Sequence, residues 1–187
     1  DDAKSKFQSQ DAFLESLQMQ GKISLFDDTH IERITQLINK TNQFNLTTKR
    51  YSLAEVEKIK DDSKFIAFYG RLEDKFGDNG LISILIAKKD VNTMHIDTWL
   101  MSCRVLKRGM EFLMFNVLLE EAKKLNINKI VGRFVPTEKN MMVKSLYSDL
   151  GFNLISESDQ EDIYTLDVKS SINAKHFIKI AENFTDT

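Results

Sequence analysis

Apolar residues along the chain recur with two different periods, and the changes of period predict the order of the secondary-structure elements. Alternating or continuous apolar runs predict strands, whereas apolar residues three and four positions apart predict helices. We expect strands at 22–26, 64–72, 80–88, 93–103, 129–135, 153–156 and 162–168. We expect helices at 11–18, 29–40, 52–62, 110–125, 139–150 and 172–183.

Turn and cap residues separate these segments. Ser52 with Glu55 three positions on forms a capping-box pattern, which predicts a helix start. Pro136, the only proline, breaks the chain before the helix at 139–150, and Gly151 is placed to end that helix. Short links join the three central strands, which favours an antiparallel meander. The order of elements predicts an α/β fold with a central mixed, largely antiparallel sheet and helices on both faces.

Size and composition narrow the class of protein. With 187 residues and 42% hydrophobic content, the chain can bury one full core. The formal net charge of −2 gives no electrostatic case for nucleic acid or an anionic membrane. No apolar run approaches the roughly 20 residues of a membrane span, and the first ten residues are unlike a signal peptide. We therefore expect a cytoplasmic protein.

The residues that could bind a metal or form a disulfide are few and dispersed. The chain has three histidines and one cysteine, Cys103. A single cysteine excludes an internal disulfide and suits a reducing compartment. A structural zinc site needs about four such ligands near one another, so we expect no metal.

Two segments carry the strongest indication of chemistry. Residues 100–122 predict a strand that passes through a basic turn containing Gly109 into an amphipathic helix. Residues 140–152 predict a short helix with Tyr147 one turn before a Leu-Gly-Phe ending. The amide groups and positive dipole end at a helix N-terminus form an anion site, and glycine lets a phosphate approach closely.

This order of elements, with Gly109 and Tyr147 at these places, resembles the GNAT superfamily of N-acetyltransferases over residues 22–168. The resemblance implies that the turn after the fourth strand binds the pyrophosphate of acetyl-CoA or the phosphate of an acyl-phosphopantetheine. It also implies that Asn140 binds the cofactor arm and that Tyr147 protonates the departing thiolate, which a phenol can do. The cofactor-binding residues so predicted are Met101, Cys103, Lys107, Arg108, Gly109, Met110, Asn140 and Tyr147.

The superfamily turn has the pattern Q/R-x-x-G-x-G/A, and two registers are open. If Gly109 is the first motif glycine, Leu106 takes the Gln/Arg place and Glu111 the last Gly/Ala place. If Gly109 is the last, Arg104 comes first and Lys107 replaces a glycine. The first register fits the lengths of strand and helix better and is preferred. Leu106 and Glu111 would then weaken CoA binding, because Glu111 puts a carboxylate near the pyrophosphate.

A narrower resemblance covers three strings. Residues 38–52, 76–81 and 96–106 resemble the C-terminal half of FkbH-like proteins of polyketide biosynthesis. That family is associated with moving a glyceryl unit onto an acyl carrier protein, and its N-terminal half is a haloacid-dehalogenase (HAD) type phosphatase domain. The resemblance implies that residues 1–20 are a linker from a missing N-terminal domain and that 21–187 form one GNAT-like domain. An acyl carrier protein and a HAD-type phosphatase domain are the partners it implies.

The fourth predicted strand carries further candidates for the reacting centre. By alternation His95, Asp97, Trp99, Met101 and Cys103 share one face. Cys103 is either a nucleophile whose thiolate carries an acyl group or a buried residue that packs in the core. Asp97 is either a base or a strand carboxylate with satisfied hydrogen bonds. His95 is expected to be structural.

The loop at 39–50 borders the acceptor side in the resembled fold. Its polar residues, which suit a small hydroxylated acyl group or a phosphopantetheine arm, could equally be used in capping and turns. The substrate-binding residues predicted here and on the fourth strand are Asn42, Asn45, Thr47, Arg50 and Trp99.

The sequence thus leaves three functions open. The leading one is an acyltransferase that handles a small-molecule acyl thioester on CoA or a carrier protein, with Tyr147, Cys103 and Asp97 as catalytic residues. The second is a carrier-protein docking domain without catalysis, which Glu111 favours. The third is an amine N-acetyltransferase that uses acetyl-CoA.

Overall fold

A computed structural model describes residues 1–186 of the chain. The helices are α1 (Asp2–Ser16), α2 (Ile31–Lys40), α3 (Leu53–Asp61), α4 (Met110–Lys124) and α5 (Leu146–Asp149). The strands are β1 (Gln20–Leu25), β2 (Phe65–Asp74), β3 (Gly77–Asp90), β4 (Thr93–Met101), β5 (Lys129–Phe134), β6 (Asn153–Glu157), β7 (Asp162–Asp167) and β8 (Lys179–Asn183). Short 3₁₀ turns lie at Cys103–Val105, Met141–Val143 and Phe184–Asp186.

The eight strands form one sheet in the order β6-β7-β5-β4-β3-β2-β1-β8. The pairs β4/β5 and β1/β8 are parallel, and all the other neighbours in the described sheet are antiparallel. The α/β class, the central meander and the largely antiparallel sheet predicted from the sequence are confirmed.

Two hydrophobic clusters cover the two faces of the sheet. The larger cluster contains the buried side chains of α4 and α5, and the smaller one contains those of α2 and α3. Each of these four helices therefore buries its apolar side against the sheet, as the helical spacing of the apolar residues requires. The predicted arrangement of helices on both faces is confirmed.

Local signals fixed several boundaries. Ser52 accepts a hydrogen bond from the amide of Glu55 at 3.2 Å, and the Glu55 carboxylate accepts one from the amide of Ser52 at 3.1 Å. Gly151 has φ 93°, the left-handed conformation that ends a helix at low cost when the residue is glycine. The predicted capping box and the predicted stop are both present.

Three predicted helices differ from the structure. The first is longer than predicted and begins at Asp2. The helix predicted at 139–150 is split into a 3₁₀ turn and α5, because Asn140 turns back to accept a hydrogen bond from the amide of Thr137 at 2.8 Å. The terminal helix predicted at 172–183 is wrong: its second half is β8, which pairs with the free edge of β1. An open strand edge offers a row of hydrogen-bonding groups that outweighs a weak helical pattern.

Candidate functional site

Strands β4 and β5 begin as a pair and then separate. They are paired only between Thr93 and His95 on β4 and between Lys129 and Val131 on β5. Beyond these residues, the two strands run on without pairing with each other within the described sheet. A gap therefore opens between the C-terminal halves of β4 and β5, next to the turn that leads into α4.

A bulge in β4 lies at the start of this gap. The register against β3 shifts between Ile86 and Ala87, which pair with Thr98 and Ile96, so Asp97 has no partner on β3. The alternation of side chains reverses there. Met94 and Ile96 before the bulge and Trp99 and Met101 after it all belong to the larger cluster.

The bulge overturns one prediction from the sequence. A regular strand would place five residues on one face, as the sequence predicts: His95, Asp97, Trp99, Met101 and Cys103. Met94 precedes the bulge and Trp99 follows it, yet both point into the same cluster, so His95 and Trp99 lie on opposite faces. A one-residue bulge is enough to change the face of every residue beyond it.

The gap between β4 and β5 is filled by residues 44–47, called here the inner segment. The amide of Leu46 donates to the carbonyl of Trp99 at 3.0 Å, and the amide of Met101 donates to the carbonyl of Phe44 at 3.0 Å. On the other side, the amide of Val135 donates to the carbonyl of Leu46 at 2.8 Å. The inner segment thus lies antiparallel to β4 and joins it to the end of β5.

The side chains of the inner segment are buried. Leu46 is fully buried and Phe44 is 7% exposed, both in the larger cluster. Asn45 is also fully buried, and its side chain accepts from the amide of Thr48 at 2.9 Å and donates to the carbonyl of Thr41 at 3.1 Å. Asn45, predicted to bind substrate, therefore shapes the loop by a local Asx-type turn.

Asp97 holds the chain that follows the inner segment. Its carboxylate accepts hydrogen bonds from the Lys49 ammonium at 2.6 Å, the Tyr51 hydroxyl at 2.6 Å and the Thr98 hydroxyl at 2.8 Å. Burial disfavours the charged form, but these hydrogen bonds outweigh it, so the pKa of Asp97 lies below its usual value. The hydroxyl of Thr47 also donates to the Asp97 carbonyl at 2.9 Å. A carboxylate so bonded is stabilised as an anion and is a weak base.

Arg50 closes the other side of the loop. Its guanidinium donates to the carbonyl of Ile38, to that of Thr41 at 2.9 Å and to the side-chain oxygen of Asn42. These acceptors lie at and just beyond the C-terminal end of α2, where carbonyl groups lack helical partners. Arg50 and Asn42, predicted to bind substrate, bind each other and the end of this helix.

Asn140 is buried beside the inner segment. Its amide nitrogen donates to the carbonyls of Asn45 and Val135, both at 2.9 Å, while its oxygen accepts from the amide of Thr137. The sequence predicted that this side chain binds the cofactor arm. In the structure it binds the protein's own chain in the gap.

Tyr147 is fully buried under the sheet. Its hydroxyl donates to the carbonyl of Arg133 at 3.3 Å, and burial raises the pKa of the phenol above its usual value. Its ring packs against Gly132, where an added Cβ atom would lie only 2.5 Å from the ring. The centre of the Tyr147 ring is 5.0 Å from that of Phe152. In this conformation Tyr147 packs the core, and its proton points at a backbone carbonyl.

Trp99 and Cys103 have contrasting surroundings at the same end of β4. Trp99 is fully buried, and its indole nitrogen has no hydrogen-bond partner among the described residues. Cys103 is exposed, with its sulfur 3.0 Å from the side-chain oxygen of Gln43, the residue before the inner segment. Cys103 is therefore a solvent-accessible thiol at the mouth of the gap.

The turn between β4 and α4 has two left-handed residues. Lys107 has φ 63° and Gly109, the N-cap of α4, has φ 87°. These are the two places that the second register gives to motif glycines, and glycine adopts such angles most easily. The structure thus favours the register in which Arg104 comes first, over the register preferred from the sequence.

Beside this turn lies a cavity of about 220 Å³. Its lining comes from α1, the turn, the start of α4 and the chain before β8. Glu111 points a carboxylate oxygen into the buried interior without a partner among the described residues, and burial raises the pKa of this carboxyl group. The basic residues of the turn, Lys107 and Arg108, line the same cavity. An anion would meet both favourable amides and an unfavourable carboxylate here.

The predicted residues therefore fall into two groups. One group lies at the start of α4, where free amides and the helix dipole favour a phosphate; it consists of Lys107, Arg108, Gly109 and Met110. Asp97, Trp99, Asn140 and Tyr147 surround the gap, but the inner segment stands between them. Among the described residues, no group of three or more His, Cys, Asp or Glu side chains is gathered as a metal site. No helix in the described part of the chain is long and apolar enough to cross a membrane.

Reasoning from the sequence missed Phe44 and Leu46 as occupants of the gap, and Lys49 and Tyr51 as partners of Asp97. One signal was available. Phe44, Asn45, Leu46 and Thr47 alternate between apolar and polar, the period of a short strand. Four residues are too few to separate a strand from a loop by pattern alone.

The architecture matches that of solved N-acetyltransferases. The ribosomal-protein-S18-alanine N-acetyltransferase from Escherichia coli has a TM-score of 0.61 at 14% identity, over 83% of this chain and 97% of the other. The spermidine N-acetyltransferase from Vibrio cholerae, solved with CoA and spermine, has a TM-score of 0.60 at 16% identity, over 80% and 96%. An aminoglycoside acetyltransferase solved with coenzyme A has a TM-score of 0.57 at 15% identity, over 79% and 95%.

No family model and no curated protein sequence matches the chain. The narrower resemblance to FkbH-like proteins, with its carrier protein and phosphatase domain, thus gains no support. The chain has the fold of the GNAT N-acetyltransferases.

Proposed function

We propose that the protein is a GNAT-fold acyltransferase that takes an acyl thioester on the phosphopantetheine of CoA or of an acyl carrier protein. The turn before α4 carries this proposal. It presents two left-handed residues, Lys107 and Gly109, at the N-terminus of a 15-residue helix, in the fold of enzymes solved with CoA. A helix start of this kind favours a phosphate through its free amides and its dipole.

The residues present fit the phosphate end of such a cofactor. Lys107 and Arg108 would add positive charge, and the backbone of Gly109 and Met110 would donate hydrogen bonds. Arg108 lies with its guanidinium 5.7 Å from the ring centre of Phe13, so it is positioned by α1. When bound, the cofactor would supply the activated acyl group.

The residues around the gap do not fit the pantetheine end in this conformation. Asn140 is fully engaged with the chain, and the main-chain groups of Trp99 and Met101 are bonded to the inner segment. Cys103 is the candidate reacting group that is open to solvent. We retain Cys103, Tyr147 and Asp97 as catalytic candidates, with Asn42, Asn45, Thr47, Arg50 and Trp99 on the acceptor side, for a conformation in which the gap is open.

A second candidate is a carrier-protein docking domain without transfer, in the FkbH-like setting. The filled gap favours it, because the place of the arm is taken by protein. A third is an amine N-acetyltransferase, favoured by the structural likeness to a spermidine N-acetyltransferase and an aminoglycoside acetyltransferase. The three differ in what they bind and in what they modify.

Calorimetry separates these candidates. The protein is titrated with CoA, with acetyl-CoA and with an acyl carrier protein that either bears or lacks phosphopantetheine. Each mixture, and one that contains acetyl-CoA with spermidine or an aminoglycoside, is then examined by mass spectrometry. The acyltransferase predicts that CoA or the loaded carrier binds and that Arg108→Glu weakens this binding, while Arg33→Glu, on α2, does not. Acetylation of Cys103, absent in Cys103→Ser, would establish a covalent route.

Two results would contradict the proposal. Binding of carrier protein whether or not it bears the phosphopantetheine, with no transfer, would favour the docking domain. Failure of CoA and loaded carrier to bind at millimolar concentration would overturn an acyl-thioester function. Acetylation of spermidine or an aminoglycoside, without carrier binding, would select the third candidate.

A further inference from the structure

We propose that the inner segment is a built-in competitor of the acyl thioester: it occupies the gap between β4 and β5, and a pantetheine arm enters only after residues 44–47 leave. This inference rests on the function proposed above. It concerns how access to the site is controlled, which the fold by itself does not determine.

The position of the inner segment follows from its hydrogen bonds. Leu46 bonds through its amide to Trp99 on β4 and through its carbonyl to Val135 at the end of β5. One residue therefore spans the gap, so the gap is one extended chain wide. Neighbouring strands lie about 4.8 Å apart, which leaves no space for a second extended chain beside the first.

A pantetheine arm is chemically like a short peptide. It is an extended chain with two secondary amides, so it would pair with strand edges as a peptide does. The groups it would use here are the carbonyl of Trp99, the amide of Met101 and the side chain of Asn140. All three are bonded to residues 44–46 of the chain. The inner segment and the arm would thus compete for the same hydrogen bonds.

The loop also has features that favour its release. Thr48, immediately after the inner segment, has φ 56°, which is strained for a β-branched residue. Its hydroxyl oxygen is buried without a hydrogen-bond partner among the described residues. A cavity of about 250 Å³ lies against Thr48, between Asn42 and residues 137–139. The filled state therefore contains strain and an unpaired polar group that an outward movement would relieve.

Opposing features hold the loop in place. Leu46 is fully buried, and the Tyr51 hydroxyl fixes the following chain to Asp97 at 2.6 Å. If only a small fraction of molecules is open, the apparent affinity for CoA is reduced by that fraction. Changes that favour the open state should then tighten CoA binding without touching the phosphate turn.

The test compares CoA affinity in variants of the loop. Leu46→Ala removes a buried anchor and is expected to tighten CoA binding at least tenfold. Tyr51→Phe removes the hydrogen bond to Asp97 with little change in packing. It is expected to tighten CoA binding about threefold or more. Leu72→Ala, a buried leucine on β2, is the matched control and should leave the affinity unchanged. Adding Thr48→Gly to Leu46→Ala relieves the strain of the filled state and should reverse part of the gain.

The outcomes distinguish this inference from the function on which it rests. Equal CoA affinity in the wild type, Leu46→Ala and Tyr51→Phe would overturn the inference while the acyl-thioester function stands. Opening itself is followed by exchange of the Val135 amide hydrogen, whose acceptor is the Leu46 carbonyl. If this amide exchanges fast in Leu46→Ala and neither CoA nor loaded carrier protein binds, both the acyl-thioester function and this inference are overturned.

Discussion

The side-chain amide of Asn140 donates a 2.9 Å hydrogen bond to the main-chain carbonyl of Asn45, 95 residues earlier in the chain. The residue that a cofactor arm was expected to use therefore holds the protein's own inner segment. The same amide nitrogen donates to Val135, so Asn140 ties three parts of the chain together. This arrangement makes the polar residues around the gap contributors to stability in the conformation described.

The first prediction concerns Asn140 itself. Asn140→Ala leaves the carbonyl of Asn45 and the amide of Thr137 buried without this partner. We expect the free energy of unfolding to fall by about 2–4 kcal/mol, since each unsatisfied buried group costs about 1–3 kcal/mol. Denaturant unfolding measures the loss. Asn153→Ala, at an exposed position on β6, is the control and should change stability by less than about 0.5 kcal/mol.

Tyr147 gives a second prediction. Tyr147→Phe keeps the ring that packs against Gly132 and removes only a hydroxyl bonded to a carbonyl. We expect a loss of about 1 kcal/mol in the free energy of unfolding. If Tyr147 protonates the leaving thiolate in an open conformation, the same variant also lowers kcat for acyl transfer and leaves KM nearly unchanged. A loss of activity without any loss of stability would contradict the buried hydrogen bond to Arg133.

The pH dependence of stability tests Asp97. Because the folded pKa of Asp97 is below its unfolded value, its contribution is present at neutral pH and is lost as pH falls through the folded pKa. Asp97→Asn should therefore cost about 1–3 kcal/mol at pH 7 and progressively less below about pH 4. Unfolding of both proteins at several pH values measures this difference. A difference that stays constant down to pH 2 would contradict the stabilised carboxylate.

The pKa of Glu111 is shifted in the direction opposite to that of Asp97. Burial raises its pKa, so the charged form destabilises the fold at neutral pH, and this cost disappears as pH falls through the folded pKa. Glu111→Gln should raise the free energy of unfolding by about 1 kcal/mol at pH 7, after allowing for the lost interaction with the helix dipole. It should also tighten binding of inorganic pyrophosphate about threefold or more.

Glu121→Gln is the matched control for Glu111, because it lies near the other end of the same helix. It should change neither stability nor pyrophosphate affinity appreciably. If Glu111→Gln weakened pyrophosphate binding, the carboxylate would be part of the binding site rather than an obstacle to it.

Much of the fold was predictable because local and global signals agree. Apolar periodicity, the capping box at Ser52 and Gly151 each fix an element by short-range physics. β8 was not predictable, since its pairing with β1 depends on an edge that exists only in the folded sheet. The bulge at Asp97 was missed although it leaves a trace in the sequence: the polar pair Asp97-Thr98 interrupts the alternation, so the apolar positions change from Met94 and Ile96 to Trp99 and Met101.

The candidate site was predictable only in part. The turn at Lys107 and Gly109 could be located from its charge and its glycine, but its register depends on backbone angles that the sequence does not display. The position of the inner segment depends on hydrogen bonds from residues 44–47 to β4 and to the end of β5, which follow some 50 and 90 residues later in the chain. Such long-range contacts are set by the tertiary structure. The tertiary structure also determines whether the side chain of Asn140 forms hydrogen bonds with a cofactor or with the protein's own main chain.

Hydrogen exchange at the Leu46 amide tests the central claim most directly. This amide donates to the Trp99 carbonyl and is buried in the gap, so it should exchange slowly in the free protein. Saturation with CoA, or with a carrier protein that bears phosphopantetheine, should make it exchange at the rate of an exposed amide as the inner segment leaves. Continued protection of the Leu46 amide in a protein fully occupied by CoA would contradict the account.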